Sequence, residues 1–62
     1  MSEDLADIAD RLMVRLPGFI QNIGMSGMDA RATVDRAIAD DPSAAEHDIQ
    51  TKARAWMLIA LA

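Results

Sequence analysis

Apolar side chains in the first third of the chain fall at Leu5, Ile8, Ala9, Leu12 and Leu16, with Asp7, Asp10 and Arg11 in the intervals. That one-sided spacing is the pattern of an amphipathic helix. Ser2 precedes Glu3 and Asp4, which reads as an N-cap followed by two carboxylates in a first turn whose dipole favours negative charge. Asp7 and Arg11 stand four apart, the spacing of an exposed helical ion pair. Val14 projects among these charges and reads as an isolated surface valine. Pro17-Gly18 then stops or bends the helix near Leu16.

The next stretch, F-I-Q-N-I-G, supplies Phe19, Ile20 and Ile23 and meets Gly24, a short helix with a glycine C-cap. Ser26 stands three residues before Asp29, a capping-box-like start for a helix that runs to about Asp40. Its inner side is Ala30, Val34, Ala37 and Ile38, and its flanks carry the i,i+4 pairs Arg31–Asp35 and Arg36–Asp40. In D-D-P-S-A-A-E, Pro42 suits a first helical position behind an Asp41 cap, or Ser43 caps and Glu46 closes the box. Either version starts a last helix near residue 42 or 43, about 28 Å long at 1.5 Å per residue. No segment alternates as a half-buried strand does.

The expected fold is therefore all-α, a small three- to four-helix bundle with helices at about 3–16, 18–24 (short), 27–40 and 43–61. It forms one domain over residues 1–62, completed by dimerisation. The large core residues are Leu5, Ile8, Leu12, Leu16, Phe19, Ile20, Ile23, Val34, Ile38, Ile49 and Trp56.

The last helix changes character along its length. On a helical wheel Ala45, Ile49, Ala53, Trp56 and Ala60 form one inner stripe, and the polar residues from Glu46 to Arg54 lie outside it. From Trp56 onward, W-M-L-I-A-L-A is apolar on every side, which marks a helix covered all round. Ile59 flanks the stripe on one side, Met57 and Leu61 flank it on the other, and Leu58 points nearly opposite Trp56. A membrane span needs about 20 apolar residues, and Lys52 and Arg54 interrupt this run too early. A bundle this small can scarcely wrap both faces itself. Apolar patches beyond a few hundred Å² usually mark a protein interface. The residues assigned to a partner are Met57, Leu58 and Leu61, with Trp56 at their edge, most simply in a two-fold homodimer.

Composition narrows the functions that fit. A chain of 62 residues buries only about 60% of its unfolded surface and commonly needs a staple or a partner. Cysteine is absent, which removes disulfides, thiolate chemistry and Cys-based zinc sites. The acidic start M-S-E-D-L-A-D lacks the pattern of a secretory signal, so a cytoplasmic location is expected. The net charge is −4 and the six Lys and Arg residues are scattered, which disfavours direct binding to nucleic acid.

Candidate chemistry is sparse. G-M-S-G-M has no following Lys-Ser or Lys-Thr, so it is a helix junction rather than a phosphate loop. Met25 and Met28 flank that junction, where flexible thioethers either fill core gaps or adapt to a partner. His47 has only its neighbours Glu46 and Asp48 beside it, and they point about 100° away on either side. No cofactor, metal site, small-molecule substrate or enzymatic activity is expected. The expected function is a non-enzymatic interaction or regulatory module that uses its apolar C-terminal helix to self-associate or to dock on a larger protein. The alternative is a small acidic inhibitor, from a phage or other mobile element, that blocks a nucleic-acid-handling complex by covering its basic surface. That role would place Asp4, Asp7, Asp10, Asp35, Asp40 and Asp41 at the contact.

Overall fold

Asp4 caps the first helix: its backbone is extended and its carboxylate accepts the Ala6 N–H at 3.0 Å. A computed structural model describes residues 4–62, so the cap expected at Ser2 lies outside the described residues. Within them are four α-helices and no strand: α1 (Leu5–Arg15), α2 (Pro17–Ile23), α3 (Gly27–Asp40) and α4 (Glu46–Leu61). The all-α bundle read from the sequence is thus the observed architecture.

The internal boundaries follow local chemistry. Pro17 occupies the first turn of α2, where its missing N–H costs nothing. Gly24 closes α2 at φ 76°, ψ 22°, the left-handed region that side chains with a Cβ avoid. The Ser26 hydroxyl accepts the Asp29 N–H at 3.1 Å and so opens α3. Inside α3, the Thr33 hydroxyl turns back to donate to the Asp29 carbonyl at 2.9 Å, which lets this polar side chain be buried.

The start of α4 departs from expectation. The helix begins at Glu46, and neither Pro42 nor Ser43 belongs to it or caps it. The Ala44 N–H instead bonds to the Asp41 carbonyl at 3.1 Å, and the Ser43 hydroxyl donates to the Asp41 carboxylate at 2.9 Å. Residues 41–44 therefore close a turn with Asp first and Pro second, positions those residues favour in β-turns as much as at helix starts. Ala45 is left at the N-cap position with an extended backbone and no capping side chain.

Both α1 and α4 pack on α3. Helices α3 and α4 run in opposite directions, since Asp40 meets Lys52, Arg36 meets Trp56, and Thr33 lies beside Ile59 and Ala60. The core joins Leu12 of α1, Leu16 at the junction of α1 and α2, Ile20 of α2, Val34 and Ile38 of α3, and Ile49 and Met57 of α4. Ala9, Ala30, Ala37 and Ala53 are fully buried among them, where small side chains let helix axes approach closely. Leu5, expected inside, is 44% exposed at the start of α1. Phe19, Ile23 and Trp56 pack against the core from its edge.

Candidate functional site

The wheel position of α4 decides which apolar residues need a partner. Its buried stripe is Ile49, Ala53 and Met57, an i, i+4, i+8 row, rather than the row through Trp56 and Ala60. Met57 is completely enclosed by the chain's own core. It therefore has an intramolecular role, and its assignment to a partner surface is corrected. A flexible thioether fits irregular core space better than a rigid indole does. Trp56 stands half-buried on the flank, with the Arg36 guanidinium 5.8 Å and the Lys52 ammonium 6.0 Å from its ring centre.

Beyond Met57 the helix overhangs its support. Ala60 projects within about 20° of buried Ala53, yet it is exposed, so the surface that covers α4 ends before its last turn. Leu58 is 52%, Ile59 69% and Leu61 48% exposed. Leu58 and Leu61 lie about 60° apart on one side, and Ile59 projects on the α3 side. Residues 55–62 carry no charged side chain. Leu58 and Leu61, expected at a partner surface, are thus each about half exposed.

The charged residues mostly serve the bundle itself. Glu46 receives Arg11 through Nη2 at 2.6 Å and Nε at 3.0 Å, and Arg15 at 3.2 Å, so one part-buried carboxylate joins α4 to α1. Hydrogen bonding from Arg11 holds the Glu46 carboxyl below its ordinary range. Arg31 bonds Asp35 at 3.2 Å and Asp10 at 2.6 Å, and these two carboxylates raise its pKa, Asp35 contributing most. Lys52 bonds Asp40 at 2.7 Å, and its pKa rises for that reason.

Of the six acidic residues assigned to the alternative interface, Asp10, Asp35 and Asp40 thus contact cations of the same chain. Asp4 caps α1, Asp41 accepts from Ser43, and Asp7 is exposed on α1. Asp10 and Asp35 meet at Arg31 between α1 and α3, whereas Asp40 is turned to Lys52 of α4. The expected Arg36–Asp40 pair gives way to Lys52–Asp40 across the helix interface, which leaves Arg36 over Trp56.

His47 is exposed on the first turn of α4, and Met28 is 84% exposed while Met25 packs on the core edge. Among the described residues, no group of three or more His, Asp or Glu side chains is placed to hold a metal ion. No described helix is long and apolar enough to cross a membrane. Grooves of about 270 to 350 Å³ among the described residues open onto the surface. The best-defined chemistry belongs to the one between α3 and α4, lined by Thr33, Arg36, Trp56, Ile59 and Ala60. No protein-family model, curated protein or solved structure matches the chain.

Proposed function

We propose that the protein is a non-enzymatic interaction module that pairs with a second copy of itself through the last turn of α4. The observation that carries this reading is the exposed pair Leu58 and Leu61, side by side beyond the end of the bundle's own core. Charge favours this surface for self-pairing. Two chains of net charge −4 repel wherever their carboxylates face each other, and residues 55–61 of α4 carry no charged side chain. A two-fold axis beside α4 would set each leucine pair against its copy, the usual closed arrangement of homodimers.

Size bounds the affinity. A standard interface takes about 800 Å² from each partner, whereas the whole chain has 4057 Å² of accessible surface. One helical turn supplies much less than 800 Å², so the dimer is a weak one, in the micromolar range or above. Sedimentation equilibrium from micromolar concentrations to about 1 mM tests it. Wild type should self-associate, and Leu58→Asp and Leu61→Asp should each sediment as monomers. A wild type that stays monomeric throughout overturns the reading.

A further inference from the structure

A second surface of α4 faces the other way. The groove between α3 and α4 holds about 300 Å³ and combines the Trp56 ring, Ile59 and Ala60 with the Arg36 side chain. Ile59 projects about 100° from Leu58 and about 160° from Leu61, so this groove and the proposed dimer surface are distinct faces of one helix.

Arg36 sets the chemistry of the groove. Arg31 and Lys52 are held by carboxylates within 3.2 Å and Arg15 by Glu46, but no described carboxylate forms an ion pair with Arg36. Asp40, its neighbour one turn on, is bonded to Lys52 instead. The guanidinium lies over the Trp56 ring, 5.8 Å from its centre, and its N–H groups can bind a carboxylate with two parallel hydrogen bonds. Asp40 and Asp41 both act on Lys52, which leaves Arg36 as the cation beside Trp56 that no described carboxylate bonds. An open space at the lower end of ligand-pocket volumes cannot enclose a free metabolite, but it can seat one side chain of a larger partner.

We propose that this groove docks an acidic segment of another protein, which sets a large apolar side chain against Trp56 and Ile59 and a neighbouring carboxylate on Arg36. The chain's own exposed apolar–acidic neighbours, Asp4–Leu5 and Met28–Asp29, lie on other helices. Asp4 already caps α1 and Asp29 lies in the first turn of α3, where the helix N-terminus favours a carboxylate, so both have favourable positions within their own chain. The groove is therefore assigned to a different chain, and the inference does not depend on dimerisation through Leu58 and Leu61.

Trp56 is the sole tryptophan, so its emission reports the groove directly. The test selects a tryptophan-free random twelve-residue peptide library on the immobilised full chain, then titrates the enriched peptide while following Trp56 fluorescence. The expected peptides carry Asp or Glu within a helical turn of a large apolar residue and give a saturable change in emission. Arg36→Gln should weaken binding at least about tenfold, as should Glu→Gln or Asp→Asn in the peptide, the size expected for losing a charged hydrogen-bonded pair. Leu58→Asp should bind as wild type. Failure to enrich any peptide, enrichment of peptides without a carboxylate, or unchanged binding by both Arg36→Gln and the neutralised peptide overturns the proposal.

Discussion

Met57 and Leu58 are adjacent apolar residues with opposite roles, one fully enclosed and the other 52% exposed. Removing the Met57 side chain to Ala leaves a cavity between helices, and buried Met→Ala changes cost about 2–5 kcal/mol. A domain of this length has a total stability of roughly 3–9 kcal/mol, so Met57→Ala should remove a large share of it. Leu58→Ala should shift stability by no more than about 0.5 kcal/mol at concentrations too low for self-association. Urea titrations of both variants followed by circular dichroism check this contrast, and equal losses would contradict the placement of the two residues. The sequence made the pair look alike. A wheel shows that a helix is apolar all round, but not which arc its neighbours cover, and the stripe through Trp56 differs from the observed one by only about 40°. In the fold the indole lies at the edge of the core beside Arg36 and Lys52, and Met57 fills the interior.

At the scale of the elements, the order of the four helices was legible from periodicity and punctuation, and the caps at Ser26 and Gly24 were read residue by residue. The start of α4 was not, because Asp-Pro-Ser serves a tight turn and a helix start equally well and only the path from α3 decides between them. The outcome leaves α4 as the one helix of the four, apart from α2 with its proline, whose N-cap residue can offer no side-chain acceptor. Ala45 already has the extended backbone that a capping residue needs, at φ −61° and ψ 147°, and it is exposed. Ala45→Ser should therefore add about 0.5–2 kcal/mol by satisfying a first-turn N–H, without disturbing any packed side chain. The midpoint of thermal or urea unfolding measures the gain. A midpoint that falls would mean that the helix starts elsewhere.

Across the whole molecule, α3 is the central support and the outer helices are tied together at one point of charge. Glu46 reaches back to Arg11 and Arg15, so the beginning of α4 is held to α1 by a single carboxylate with 22% of its side-chain surface exposed. Pattern reading placed Arg11 with Asp7, its neighbour four residues away, because sequence spacing reveals pairs within a helix and conceals those between helices. This cross-link makes stability depend on pH in a defined sense. The folded chain holds the Glu46 carboxyl below its unfolded value, which is about 4.5. The folded state therefore binds its proton less readily than the unfolded state does, and stability rises with pH through that range. The contribution is complete above the unfolded value and is lost as pH falls through the folded one. Glu46→Gln keeps the size of the side chain and removes the charge, so its unfolding midpoint should lie below that of wild type at pH 7. The difference between the two proteins should stay constant down to about pH 5 and shrink as the solution becomes more acidic. Raising the salt concentration should narrow the gap only in part, since Glu46 is shielded from solvent more than the Arg31 and Lys52 pairs are. A gap that is independent of pH would show that the carboxylate acts through packing alone and that α1 and α4 are held together by their shared contact with α3.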